Sequence, residues 1–585
     1  MSAVKRIFSV GVAVLTMLAL LIGCATPTPE VREVEKVVTQ VVKETVIVEG
    51  TPQVVEKEVT KIVTEKEVVK ETVEVVVPSA RQGGKLVASL RTNVNDTLNQ
   101  HWSIHTGSRM VAHHVLDTLV AVNPEDNEVY PWLATSWEVS PDGKVYTFKL
   151  RDDVTFHDGT PFNAQAVKFN FDYTAREDIK HGFAWAAMGA EKYEKTEVVD
   201  DYTVKIYFSV PHPTFLINLS DGGLGIDSPA AMEEAGDEDY GLKTLVGTGP
   251  FKFVEWEVKD HVTMVRNDDY NWAPSFFKHD GPPYLDEIVW RDVAEYATLA
   301  AAIEAGEIQV GRMQEAQVPQ FEGNDDVDIL LIPKAGTARM YLINTAWAPT
   351  DDIKVRQAIN YAIDKEGLMQ LPAWGGLSPP GVGPLPAVLH PGGDDSMLNQ
   401  YDYPFDPEKA KQLLDEAGWV DEDGDGLREK EGQDLVLRFL TTSTEIPKVE
   451  PVDDMLRDVG MALNIEMGDF NWFIAERGQR EFNMALSSDS GYDPVRLLLY
   501  FFHSESPSNN YGYTGADELL DKARNAVNLD ETWDYLIQAE AQIMQDAVGV
   551  MGWQLVYVYG ARANVRDVGF NEVAFPYFYD TWIED

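Results

Sequence analysis

The chain has 585 residues, a formal charge of −48 and a single cysteine. At 44% apolar and 10% aromatic it has enough hydrophobic mass for packed domains, which excludes a disordered protein, and its length exceeds what one core sustains. The acidic excess argues against nucleic acid and anionic headgroups as partners, and one cysteine excludes an internal disulfide.

Lys5 and Arg6 precede an uncharged run from Ile7 to Ile22 that ends in "LIGC" at Cys24. Sixteen uncharged residues fall short of the roughly 20 a membrane helix needs, so residues 1–23 read as a secretory signal. The "LIGC" ending resembles a bacterial lipoprotein cleavage site, which implies lipidation of Cys24 and a tether in the lipid bilayer. An uncleaved anchor helix is the alternative.

From Pro27 to about Pro78 the composition shifts to Val, Glu, Lys and Thr, in near-repeats such as "KVVTQVVKETV" and "KEVTKIVTEKEV". Fourteen positions from Val31 to Val76 step by three and four, and eleven of them are Val or Ile, which is a heptad seam. Residues 24–83 are therefore expected to be a lipid anchor and a stalk, helical in at least one half, with Gly50-Thr51-Pro52 breaking any helix. Self-association through a coiled coil and a monomeric spacer both remain open.

The globular part starts at "GGKLVASL", suited to a first strand. "HWSIHTGSRMVAHH" then gathers His101, His105, His113 and His114; on a helix His101 and His105 share a face, an alternative site for a transition metal or chelate. In "SWEVSPDGKVYTFKLRDDVTFHDGTPFNAQAVKFNFDY" (136–173), Ser140–Gly143 signals a turn and Tyr146, Phe148 and Leu150 alternate onto one strand face. Thr160-Pro161 is expected to start a helix along which Val167 and Phe171 share a face. His157 and Asp158 thus rim a strand–turn–helix junction, and as neighbours on extended chain they point apart, which disfavours a catalytic pair.

Further on, Asp352 caps "IKVRQAINYA", and Asp406-Pro407 opens a helix with a buried stripe at Ala410, Leu413, Leu414 and Ala417, closed by Gly418. "DEDGDGLREKEG" (421–432) carries Asp421, Asp423, Asp425 and Gly426 at the spacing of a calcium loop, but Gly432 stands where a bidentate Glu belongs. No cofactor is required; a structural Ca2+ at Asp421, Asp423 and Asp425 competes with an acidic solvated turn.

The 136–167 stretch resembles the signature of the peptide/nickel (family 5) extracellular solute-binding proteins of ABC importers. Family-like segments follow in order: "GTGPFKFVEW" (247–256), "RNDDYNW" (266–272), "YLDEIVWRDV" (284–293), "YLINTA" (341–346), "DIKVRQAINYAID" (352–364), "FDPEKAKQLLDEAGW" (405–419) and "GADELLDKAR" (515–524). The resemblance covers essentially 84–585.

It implies an α/β, two-lobed periplasmic-binding-protein-like clamshell: lobe I over 84–335 with an inserted subdomain near 123–238, lobe II over 336–552, and 553–585 returning to lobe I. It also implies an extracytoplasmic protein, held by lipid on the outer face of the cytoplasmic membrane, that captures a peptide or other small solute and delivers it to an ABC permease. In peptide-binding relatives an acidic residue holds the amino terminus; the corresponding region, "FNMALSSDSGYDPVRLLLYF" (482–501), offers Asp489 first and Asp493 second. Trp102, Trp374, Trp472 and Tyr492 lie in segments expected to face the cleft, and backbone groups around Asn344 in "LINT" could pair with an extended peptide.

An oligosaccharide or a nickel or other metal chelate is the alternative ligand within the class. A secreted hydrolase and a surface stalk or adhesin protein are the alternatives outside it; no HExxH and no GxSxG occurs.

Overall fold

A computed structural model describes residues 31–48, 51–68, 83–90, 97–103, 105–180, 182–220, 222–571 and 573–584. Signal and lipidation, including Cys24, lie outside those residues. The chain divides into two compact units, Met1–Pro78 and Ser79–Asp585.

In the first unit Val31–Val48 and Thr51–Val68 are strands, paired antiparallel from Val31 opposite Val68 to Val48 opposite Thr51. Strands thus stand where the three–four spacing suggested a helix. Valine, isoleucine and threonine are stiff at χ1 and fit extended chain.

The described residues of the second unit form three sheets of four or more strands and four two-stranded ones. The largest has seven strands, in the order Phe251–Glu257, His261–Arg266, Glu287–Asp292, Lys85–Leu90, Val310–Met313, Val556–Arg562 and Val327–Pro333. Glu287–Asp292, Lys85–Leu90 and Val310–Met313 run parallel, and Val556–Arg562 is antiparallel to both its neighbours. Val327–Pro333 therefore shares the direction of the parallel group.

The second sheet has five strands, in the order Ala462–Gly468, Val436–Thr442, Met484–Ser487, Arg339–Ile343 and Gly549–Trp553. A third, antiparallel sheet of four strands, spanning Ala134 to Phe208, is inserted into the chain between strands of the first. The chain passes from the seven-stranded to the five-stranded sheet through 334–338 and returns through 554–555.

Local chemistry sets several of these elements. Tyr146, Phe148 and Leu150 are buried on one face of Val145–Leu150, and Gly143 takes the positive φ (67°) its turn requires. The carboxylate of Asp352 accepts from the Lys354 N–H at 2.9 Å and that of Asp406 from Lys409 at 2.9 Å, so both caps form as read. The helix after Phe156, however, is Ala164–Thr174, capped by Asn163 rather than Thr160. Thr160 is held instead by Asp158, whose Oδ1 takes its N–H and hydroxyl, while Pro161 bridges back to Thr155. His157 bonds the Gly249 carbonyl at 2.9 Å, so this histidine and aspartate shape the chain separately.

One apolar cluster runs from Leu86 and Trp290 on the seven-stranded sheet to Met340, Leu342 and Phe501. A second lies on the other face of the five-stranded sheet around Tyr341, Phe439 and Trp553, and a third packs Phe148, Phe171 and Phe215 beneath the four-stranded sheet.

Candidate functional site

The 334–338 crossing meets the loop 488–493 that follows strand Met484–Ser487. Thr337 donates its N–H to the Asp489 carbonyl at 2.9 Å and receives the Asp489 N–H on its hydroxyl at 2.9 Å. Gly336 bridges Ser490 there, with φ 149°; a Cβ would stand 2.4 Å from the Asp489 oxygen, so only glycine permits the approach. Lys334 donates its ammonium to the Ser490 hydroxyl, and Arg339 bonds Ser488 at 2.9 Å while pairing with Glu445 at 2.8 Å.

The two candidate carboxylates have different surroundings. Asp489 pairs through Oδ2 with Arg496 at 2.9 Å and accepts the Ser490 N–H on Oδ1, yet its side chain keeps 28% exposure and lone pairs to spare. Asp493 caps helix Pro494–Phe502 by accepting the Arg496 N–H at 3.0 Å. Its other oxygen accepts from the Thr214 hydroxyl at 3.0 Å and the Asn218 amide at 2.9 Å, tying this helix to the insert that carries the four-stranded sheet. Tyr492 is buried and donates to the Asn218 carbonyl at 3.5 Å.

A cavity of about 420 Å3 adjoins this tie, lined by Lys192, His212, Asp493, Arg496 and His503. Burial, then the ammonium of Lys192, push the His212 imidazole down to about 4, so it is neutral near pH 7, and its Nε2 has no hydrogen-bond partner among the described residues. Thr214, Asn218 and His212 were missed by sequence reasoning. Their partners lie far along the chain, and Pro211-His212-Pro213 reads locally only as loop.

The remaining candidates are scattered. Trp374 is 1% exposed and packs edge-on against Trp553 at 5.4 Å, which places it in the core rather than at a cleft. Asn344 is buried, its amide donating to the Arg480 carbonyl at 3.0 Å and its oxygen accepting from the Ala346 N–H at 2.9 Å. Trp102 is half-buried and bonds the Tyr173 hydroxyl at 3.0 Å; Trp472 is half-buried on helix Phe470–Gly478, whose cap is Asp469.

The histidines do not share a helical face. The helix is Thr106–Ala112, with His105 as its N-cap and His101 in the preceding turn. His101 lies between Thr174, at 2.8 Å from Nδ1, and Asp227, at 3.2 Å from Nε2, both buried. His114 accepts the Phe578 N–H at 3.3 Å, and burial holds His113 down at about 4. Each ring has its own structural neighbours, because the turn at 99–103 swings His101 off the helix axis.

Among the described residues the group able to hold a metal is Asp421, Asp423, Asp425 and Glu429, with ligand oxygens within 4.8 Å of one another. Asp421 accepts from the Gly424 and Gly426 N–H groups, Asp423 from Asp425, and Asp425 from Leu427, so the loop winds about its own carboxylates. Glu429 occupies loop position nine and was not singled out from the sequence. The set is all oxygen, which fits a hard cation.

Two α/β sheets joined by two crossings, with a polar loop folded over one of them, form a two-bodied architecture of the kind that solute-binding proteins use. Residues 128–510 match the model of the bacterial extracellular solute-binding proteins, family 5 Middle. The chain belongs to this family, as its motifs indicated, and the family binds solutes rather than transforming them. It is 37% identical over 300 residues to the glutathione-binding protein GsiB of Pectobacterium atrosepticum, a match covering 50% of this chain and 54% of that protein, so it spans about half the length of the curated relative. Among solved structures it resembles NikA of Brucella suis in complex with Fe(III)-EDTA (26% identity, TM-score 0.73, 86% of this chain and 100% of that one). It also resembles the periplasmic binding protein DppA of Helicobacter pylori in complex with the peptide STSA (26% identity, TM-score 0.64, 86% and 99%).

Proposed function

We propose that the chain is the extracytoplasmic solute-binding component of an ABC importer, closing on a peptide-like solute between the body of the seven-stranded sheet and that of the five-stranded sheet. The observation that carries this reading is the 488–493 loop at the crossing. Asp489 stays partly exposed there to meet an ammonium, while Asp493 reaches Thr214 and Asn218 from the opposite side. A ligand touching both bodies stabilises the closed form by its differential affinity for it, and hinge motion at 334–338 and 554–555 opens it. The closed form then docks on a membrane permease, and lipid on Cys24 keeps the protein at the outer face of the cytoplasmic membrane.

The relative named for glutathione and the solved structure with a peptide support a peptide-like ligand, while the solved structure with Fe(III)-EDTA makes a metal chelate the second reading. Releasing copurified solute by denaturation and identifying it by mass spectrometry tests the reading. A peptide, recovered unaltered after incubation with the protein, agrees with it; an oligosaccharide, a metal chelate or a converted product overturns it. The loop at Asp421, Asp423, Asp425 and Glu429 is further proposed to take a structural Ca2+.

A further inference from the structure

Two cations at the crossing have no anionic partner among the described residues. Arg312 lies near the end of strand Val310–Met313, and Lys334 immediately follows strand Val327–Pro333. Both are thus at the carboxyl ends of co-directional strands, the end of an open α/β sheet where ligands are received. Between them stands Tyr557 of the return strand: the Arg312 guanidinium is 3.4 Å and the Lys334 ammonium 4.9 Å from its ring centre.

Lys334 is only 8% exposed, with the Ser490 hydroxyl and the Tyr557 ring as its polar neighbours. Among the described residues neither cation enters an ion pair, whereas Arg339, a few residues on, is neutralised by Glu445. The positive field is felt at Tyr557: burial pushes its hydroxyl up, but Lys334 and Arg312 outweigh it and hold the group below its ordinary range. An ammonium taken out of water without a counter-ion is unfavourable, and an aromatic face and the hydroxyls of Ser490 and Tyr557 offset only part of that. In a chain of charge −48 carboxylates are abundant, yet among the described residues none lies within ion-pair distance of either cation.

We propose that Lys334 and Arg312, braced by Tyr557, form an anion subsite that takes a free carboxylate of the captured solute. The inference rests on the solute-capture reading and narrows it: the ligand is an acid, and its carboxylate lies within a residue of the loop that carries Asp489. The carboxylate supplies the missing charge when the bodies close, so recognition and closure are one event.

Calorimetric titration with Ala-Ala-Ala, its C-terminal amide and reduced glutathione tests this on the wild type and on Lys334→Met, Lys334→Arg and Arg312→Gln. The wild type is expected to prefer the free acid over the amide by roughly ten- to hundredfold, the worth of a charge-assisted bond. Lys334→Met should erase that preference, Arg312→Gln reduce it and Lys334→Arg retain it, while the melting temperature of Lys334→Met does not fall. Equal binding of acid and amide by the wild type overturns the subsite while leaving solute capture intact. So does a Lys334→Met protein that melts lower but keeps the preference, since that is a purely structural lysine. If the wild type takes none of the three probes, peptide capture itself fails, and the subsite with it.

Discussion

Asp493 and Asn218 are 275 residues apart in sequence, and their side chains meet at 2.9 Å. The contact joins the helix that follows the five-stranded sheet to the insert carrying the four-stranded one. Asn218→Ala removes the donor without touching the cap that Asp493 gives its own helix. Calorimetry of this variant is expected to show solute affinity roughly tenfold lower, as for loss of one bond to a charged group. Asp493→Ala should lose that and about 1 kcal/mol of stability besides, from the missing cap. An unchanged affinity in Asn218→Ala would mean that the tie plays no part in closure.

Asp489 poses a different question, because Arg496 already pairs with it at 2.9 Å. A peptide ammonium must share that carboxylate, which its remaining lone pairs permit. Asp489→Asn keeps the shape and drops the charge. Its affinity for Ala-Ala-Ala should fall at least about tenfold, and acetylating the peptide's amino terminus should then make no further difference. If Asp489→Asn binds the free peptide as the wild type does, the ammonium is held elsewhere.

What could be read from the chain and what could not follows the range of the forces involved. Asp352 and Asp406 cap because a side chain needs only its own backbone two or three residues on, and Tyr146, Phe148 and Leu150 alternate because a strand has period two. The dense motifs after Ser136 sufficed for the family. Asn218 and Thr214 carried no signal, since their partner is distant in sequence. Lys334 and Arg312 drew no notice in the sequence, since only the crossing brings them to one aromatic ring. Trp374 misled in the opposite direction: its segment suggested a cleft, while the indole fills the core against Trp553.

Asp117 makes stability depend on pH. It is fully buried, accepting from Thr248 at 3.0 Å and Trp272 at 2.8 Å through Oδ2, with the Tyr270 hydroxyl also near the carboxyl. Burial pushes the carboxyl up from 3.8 to about 7. The folded chain therefore keeps a proton that the unfolded chain releases near pH 4, and this contribution to stability is lost as pH rises from about 4 to 7. Asp117→Asn cannot ionise. Denaturant unfolding should show its stability relative to the wild type to be greater at pH 8 than at pH 5, by on the order of 2 kcal/mol. The same increment at both pH values would place the carboxyl in its ordinary range.

The acidic loop offers a test independent of the solute. Asp421, Asp423, Asp425 and Glu429 bring four carboxylates within 4.8 Å, and like charges so close repel unless a cation or the backbone offsets them. Backbone N–H groups already reach Asp421, Asp423 and Asp425, so the loop can hold its shape without an ion, and the question is what Ca2+ adds. Binding to the folded chain alone raises stability by RT ln(1 + [L]/Kd), about 2.7 kcal/mol at a hundredfold excess over Kd. The melting temperature should then rise by a few degrees from chelator to millimolar Ca2+, less so in Mg2+, which demands octahedral geometry. Asp423→Asn and Glu429→Gln should each shrink that rise, whereas Asp489→Asn should leave it alone. Equal melting in calcium and in chelator would identify the loop as a solvated turn held by its own amides.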